Sequence, residues 1–362
     1  MTRALTISDA ESMGMDGVRL ERAGDLVRRG LEQKLYSAAV WMVLRHGRVV
    51  LQGCCGAAQP EHTAAACSMQ TVFDAASISK TITAVLLLQA VEEGLLHLEQ
   101  QCGAFLPGAA DTAVGRVTLK MLATHTSGLP AWAAVHETAN PLQTILHTSL
   151  EAEPGSRYAY SDLGYILLGS LLEQVLQAPL PELARKRIFQ PLGMDSSCYN
   201  PPEHMHERLA ATTAPLGQVH DPNARGMGGA AGHAGLFSTA QDLAVFALAV
   251  HPHSHTHLPD TPPALSLLAR SLVSTRQTAP PLSAHTIGWF AWPNGYLPLG
   301  DLLSRQTFGH TGFTGTMLLI DPVHDLVIVL LTNRVYYERE NDGSAVLTQR
   351  RLFANLIGAA LR

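Results

Sequence analysis

FDAASISKTITAV, residues 73–85, opens a helix that turns almost wholly apolar further on, yet it puts a lysine, Lys80, in its first turn. A cation there faces the positive end of the helix macrodipole, which opposes its charge by ~0.3–1 kcal/mol. A lysine kept only for solubility belongs in the last turn. The chain is also sparing with the residue: of 25 basic side chains, only Lys34, Lys80, Lys120 and Lys186 are lysines. Ser77 gives Lys80 a chemical reason. Residues i and i+3 share a helix face, so the Ser77 hydroxyl and the Lys80 amine meet over the first turn. A serine hydroxyl is a poor nucleophile until a base takes its proton, and an amine whose pKa is pushed down by burial and by the helix N-terminus can help. The plainer account makes Ser77 an N-cap and lets Lys80 snorkel past Ile78 and Ile82.

With 362 residues, 46% apolar and 15% charged, the chain can bury a large core as one big domain or two interleaved lobes. Its net charge of −5, without a basic run, excludes a nucleic-acid footprint and a polybasic membrane patch, leaving a small-molecule or peptide-like partner. The N-terminal stretch lacks the apolar core of a signal peptide and no later run reaches the ~18 apolar residues of a membrane span, so a cytoplasmic protein is expected. Five cysteines (Cys54, Cys55, Cys67, Cys102 and Cys198) without C-x-x-C spacing read as reduced structural thiols.

Residues 38–45 and 48–53 are β-branched apolar runs around His46-Gly47, a predicted hairpin; 315–320 and 326–332 form a second pair around DPVHD. Helical patterns cover 78–93, 118–124, 163–176, 181–188, 240–250 and 346–361. Strands at both ends with helices between predict an α/β fold of the α+β sandwich kind. Its antiparallel-sheet lobe would comprise 1–75 and 285–362, its helical lobe 76–284, with the active site between them. The stretch HPHSHTHLPDTPP at 251–263, with His251, His253, His255 and His257, reads as a solvated loop of adventitious metal affinity, since no carboxylate or cysteine at fixed spacing completes a shell. No metal or organic cofactor is expected.

Several chemistries fall away. No lysine follows a glycine, G-x-S-x-G and H-E-x-x-H are absent, and GMGGAAG at 226–232 misses the dinucleotide spacing. Two further segments remain. EPGSRYAYSDLGYILL at 153–168 places Tyr160 directly before an apolar helix, where a phenol near a protonated lysine is drawn toward phenolate and serves as general base. Ser161 or Asp162 caps that helix. FGHTGFTG at 308–315 precedes a strand, and its glycines let a backbone edge approach a ligand.

In this order, S-x-x-K, Y-S-D and H-T-G resemble the three motifs of the serine β-lactamase and penicillin-binding-protein superfamily. The nearest branch is that of class C β-lactamases and DD-carboxypeptidases, with related esterases and D-aminopeptidases. VTLKMLATHTSGLP (117–130), FQPLGMDSS (189–197) and AGHAGLFSTAQDLAVF (231–246) resemble its connecting segments, so the similarity spans most of the chain. The resemblance implies a β-lactamase/transpeptidase-like fold and a serine hydrolase that works through an acyl-enzyme on an ester or a D-amino-acid amide. It makes Ser77 the nucleophile, Lys80 its partner and Tyr160 the proton shuttle. The backbone N–H groups of Ser77 and Phe313 would form the oxyanion hole, and His310, Thr311 and Gly312 would line the cleft from the sheet edge.

Two departures stand out. Asp162 replaces the usual asparagine; it would pair with Lys80 or attract a substrate amine. His310 replaces the usual lysine; partly charged near neutral pH, it would bind a carboxylate less well as pH rises, with Arg305 as a compensating cation. A non-catalytic scaffold or peptidoglycan-fragment sensor is the competing reading, with Ser77, Lys80 and Tyr160 all present against it.

Overall fold

The computed structural model describes residues 5–61, 65–258, 263–337 and 343–362. Among these, β1 (Ala38–Arg45), β2 (Arg48–Gln59), β3 (Ala65–Ala66), β7 (Phe290–Ala291), β8 (Phe308–Thr311), β9 (Met317–Asp321) and β10 (Leu326–Thr332) form one antiparallel sheet, ordered β3-β2-β1-β10-β9-β8-β7. The two ends of the chain meet at its centre, where Ala39 of β1 pairs with Thr332 of β10.

The central strands read as unbroken apolar runs because both faces of the sheet are covered. Along β1, Val40, Met42 and Leu44 enter one core while Ala39, Trp41 and Val43 enter the other; Val327, Val329, Ile328 and Leu330 of β10 divide the same way. This is the period-two alternation of a strand, with apolar residues at every position rather than every second one. Two helices close one face: α1 (Gly17–Glu32), whose N-cap Asp16 accepts the Arg19 N–H, and α5 (Ser344–Gly358). Across the other face lie α2 (Ser79–Glu92) and α4 (Ala240–Val250), continuous with α3 (Asp162–Leu176) in a single apolar cluster. That cluster runs unbroken across the expected lobe boundary. Cys54 packs toward the core of Val40 and Met42 and Cys55 toward that of Ala39 and Trp41, and all five cysteines are free thiols.

A small sheet not expected from the sequence, ordered β4-β6-β5, joins β4 (Phe73–Asp74) to β6 (Leu236–Ser238) and β5 (Cys198–Tyr199). It delivers the chain to Ser77. Among the described residues no single helix is long and apolar enough to cross a membrane; Asp162–Leu176 and Leu180–Leu192 pass together, bent by 75°.

The histidine-rich stretch departs from the solvated loop expected of it. Ser254–His257 forms a helical turn, His251 is wholly buried, and a carboxylate from far along the chain, Asp325, lies among the imidazoles. Residues 259–262 lie outside the described residues.

Candidate active site

β4 ends at Asp74, and the chain passes through a 3-10 turn, Ala76–Ile78, before α2 begins. Ala76 takes φ 48°, a left-handed conformation that is costly for a residue with a Cβ. The Asp74 carboxylate helps to hold it, accepting the Ala76 N–H at 2.8 Å and the His220 N–H at 2.7 Å. Burial pushes this carboxyl up to about 6 despite those two bonds. Ser77 therefore projects from a braced turn and is not an N-cap: the cap position falls at Ile78, without a side-chain bond.

Lys80 does not snorkel; its side chain is fully buried. Nζ donates to Ser77 Oγ (3.1 Å) and to the His233 carbonyl (3.3 Å), and lies 4.7 Å from the centre of the Tyr160 ring. Asp162 Oδ1 is 2.7 Å away, an ion pair that falls outside good hydrogen-bond angles. Of the two roles open to Asp162, the structure shows pairing with Lys80. As the first residue of α3, behind the N-cap Ser161, it also sits where the helix field favours a carboxylate.

His125 clamps the tyrosine segment. Its carbonyl accepts the Ala159 N–H (2.9 Å) and its Nδ1 the Ser161 N–H (3.0 Å), while its ring packs 4.4 Å from that of Tyr160. Tyr160 lines the same cavity as Ser77; burial, then the Asp162 charge, raise its pKa well above the usual phenol range, against the opposing influence of the Ser77 hydroxyl. The expectation of a phenol drawn toward phenolate is thus reversed: Asp162 offsets the Lys80 charge, and the resting form is the neutral phenol.

The H-T-G segment is bonded to the nucleophile segment. Thr314 Oγ1 donates to the Asp74 carbonyl (2.7 Å) and Thr316 Oγ1 to that of Ala75 (2.9 Å). Gly312 permits this approach, since a Cβ there would lie 2.5 Å from the Ala75 carbonyl oxygen. The segments bearing the Ser77 and Phe313 amides are therefore side by side. β7 pairs only with Phe308 and Gly309, so β8 is uncovered by it from His310 onward.

His310 is not a carboxylate-binding cation. It is fully buried, its Nδ1 lies 2.8 Å from the Thr311 carbonyl, and its ring stacks on Phe290 at 4.4 Å. Burial, reinforced by Lys80, holds its pKa well below the ordinary imidazole value, so it is neutral at working pH. Arg305 stacks over Trp292, outside the cavity wall. Arg334 lines the cavity instead, its Nε donating to the Phe313 carbonyl.

Sequence reasoning did not single out Asp74, His125, Asp221, His233 or Arg334 as site residues. Asp221 lies 2.8 Å from His233 Nε2; burial pushes its carboxyl up, but His233, the Ala224 N–H and Lys80 outweigh that and hold it at about 2. Ligand atoms of Asp162, Asp221 and His233 lie within 4.8 Å of one another, and the Lys80 ammonium already supplies positive charge there. The one available signal was position: Asp74 is three residues before Ser77, and His233 falls in the AGHAG segment. Ser77, Tyr160, Asp162, Thr311, Gly312 and Phe313 all open onto one cavity of about 650 Å³, in the size range of small-molecule sites.

Comparison with known proteins agrees with this geometry. The "Putative D-alanyl-D-alanine carboxypeptidase" of Escherichia coli (strain K12) is 30% identical over 91% of this chain and 86% of its own length. Among solved structures, a class C β-lactamase from Rhodobacter sphaeroides superposes with a TM-score of 0.75 at 22% identity, covering 94% of this chain and 99% of that one. EstCE1, described as a hydrolase with promiscuous acyltransferase activity, gives 0.73 at 20% identity, covering 93% and 99%. Family and named relatives support a hydrolase. The Beta-lactamase family model matches residues 24–350, and the chain belongs to that family.

Proposed function

We propose that the protein is a serine hydrolase that forms an acyl-enzyme at Ser77, acting on esters or on amides of D-amino acids. The observation that carries the reading is the contact of the Ser77 hydroxyl with Lys80 Nζ, at 3.1 Å, in a cavity that Ser77 and the Tyr160 phenol line together.

Because Tyr160 rests as a phenol, it works as a relay. As Ser77 Oγ attacks the substrate carbonyl, its proton passes to Tyr160 Oη while the proton already there moves to the leaving-group oxygen or nitrogen. The bond to the leaving group breaks, giving the Ser77 ester and a neutral alcohol or amine. Water then attacks the ester, giving one proton to Tyr160 as Tyr160 returns its own to Ser77 Oγ. Lys80 donates to Ser77 Oγ and steadies the charge that builds there. The Ser77 and Phe313 amides receive the oxyanion, each such donor supplying about 3 kcal/mol or more. Relay through a neutral phenol favours good leaving groups, so esters come first. Trp132, Phe290, Tyr296, Phe313, Val346 and Leu347 give the cavity apolar walls for the acyl or leaving group, and Arg334 offers charge for a carboxylate. The carboxypeptidase name of the Escherichia coli relative supports the D-amino-acid alternative.

Intact-protein mass spectrometry after treatment with a fluorophosphonate and, separately, a penicillin tests the proposal on wild type and Ser77→Ala. A single adduct on wild type, absent from the variant, is expected with the first reagent. No adduct with either leaves the non-catalytic scaffold or sensor as the reading.

A further inference from the structure

We propose that His251, His253, His257 and Asp325 form a site for one divalent transition-metal cation, best matched to Zn2+, at the end of the sheet remote from Ser77. This rests on neither the hydrolase reading nor any residue of the catalytic cluster. One ligand atom from each of the four residues lies within 4.8 Å of all the others. Asp325 Oδ1 is 2.7 Å from His257 Nε2, 3.4 Å from His251 Nε2 and 4.0 Å from His253 Nδ1. Donors around a tetrahedral Zn2+ stand about 3.3 Å apart, given bonds of about 2.0 Å, and these separations bracket that value.

Three details separate this cluster from a chance gathering of surface histidines. His251 is fully buried, and its Nε2, aimed at the carboxylate, has no hydrogen-bond partner. A buried polar atom left in that state calls for a ligand. The other oxygen of Asp325 is already oriented, 2.9 Å from His46 Nδ1, as the second shell of a metal site requires. His257 packs over the β1–β2 turn at Gly47, where a Cβ would fall 2.9 Å from Nδ1; glycine leaves the room.

Three imidazoles and one carboxylate are borderline nitrogen and hard oxygen donors, which suit Zn2+ over Ca2+ or Mg2+. Four protein ligands also close the shell, the mark of a structural rather than a catalytic ion. Asp325 precedes β10, a strand of seven residues or about 23 Å, and Arg334 of the catalytic cavity follows its other end. The cation would thus tie the segment after α4 to the β9–β10 turn, with His46 of the β1–β2 turn in its outer shell. Loading requires one local change. His251 Nδ1 accepts the His253 N–H at 3.0 Å, so in the empty site the ring proton is on Nε2. A metal at Nε2 moves that proton to Nδ1, and the His253 amide, beside an exposed side chain, must turn away.

The test uses the full chain without an affinity tag, stripped by chelator. Zn2+ titrated calorimetrically should bind at one equivalent, Co2+ should give the intense visible absorption of a tetrahedral centre, and Zn2+ at about 100 times its Kd should raise the melting temperature by several degrees. His253→Ala, at an exposed position, and Asp325→Asn should each weaken binding by about 100-fold or more. Fluorophosphonate labelling of Ser77 should be unchanged by either. Wild-type Zn2+ affinity in His253→Ala, which folding of Asp325→Asn does not affect, overturns the assignment. So does a weak octahedral Co2+ spectrum in the wild type, which would show an adventitious ion only.

Discussion

Replacing Asp162 by asparagine keeps the shape of the side chain and removes one charge from the Lys80 pair. Lys80 has no solvent exposure and Asp162 is 19% exposed, so the pair is close to a buried one. Removing one partner of a buried pair costs about 3–5 kcal/mol; the partial exposure of Asp162 places this case near 3 kcal/mol. For a chain of this size that is a fall in melting temperature of about 6 °C, at roughly 2 °C per kcal/mol. The same change acts on Tyr160 with opposite consequence. The Asp162 carboxylate is the second cause, after burial, of the high phenol pKa. Its removal should move the apparent pKa of fluorophosphonate acylation downward, the direction expected when a neighbouring like charge is taken away. Scanning calorimetry and acylation rates between pH 6 and about 11 would read both effects in one preparation. An unchanged melting temperature together with an unshifted acylation profile would refute the account of Asp162 as the charge partner of Lys80 and the brake on Tyr160.

Tyr160→Phe should keep the fold, since the ring packs on His125 and Phe290, yet slow ester turnover by about 10²–10⁴ in steady-state assays. Gly312→Ala should force the H-T-G turn off the Ala75 carbonyl and cost about 1–3 kcal/mol in urea unfolding, with a loss of acylation that exceeds the loss of stability. Asp74 has a folded-state carboxyl raised to about 6 from 3.8, so it contributes fully below pH 4 and loses that contribution as pH rises through 6. Between pH 3 and about 8 the wild type should therefore lose about 3 kcal/mol relative to Asp74→Asn, read as the difference in urea-unfolding free energies.

The elements legible in the sequence were those with a strong local period. Residues 240–250 were expected as a helix and Ala240–Val250 is one; the hairpin was read from two apolar runs parted by His46-Gly47, and β1 and β2 pair around that turn, where both residues take positive φ. α1 went unread because its arginines and glutamates mask the spacing of Leu20, Ala23, Gly24 and Val27, which is nonetheless i, i+3, i+4, i+7. β4, β5 and β7 have two residues each, too short to carry a period. The site divided along the same line. Ser77 and Lys80 are neighbours on one turn, so local spacing exposed them. Asp162 was read as either the partner of Lys80 or a magnet for a substrate amine, and the choice between the two is set by tertiary contact between α2 and the start of α3; the environment of His310 is set by burial under Phe290, which one segment does not report. The Asp325 carboxylate is 68 residues from His257, and no spacing rule reaches that far.

Burial of Lys80 gives it a use as a clock. Lys34 is exposed, while the side chains of Lys120 and Lys186 are 36% and 58% accessible, so an amine-specific reagent reaches all three in the native state. Lys80 can react only when α2 pulls away from Asp162 and the His233 carbonyl. Its labelling rate, followed by peptide mapping, measures how often the catalytic cleft comes apart while the rest of the molecule stays folded.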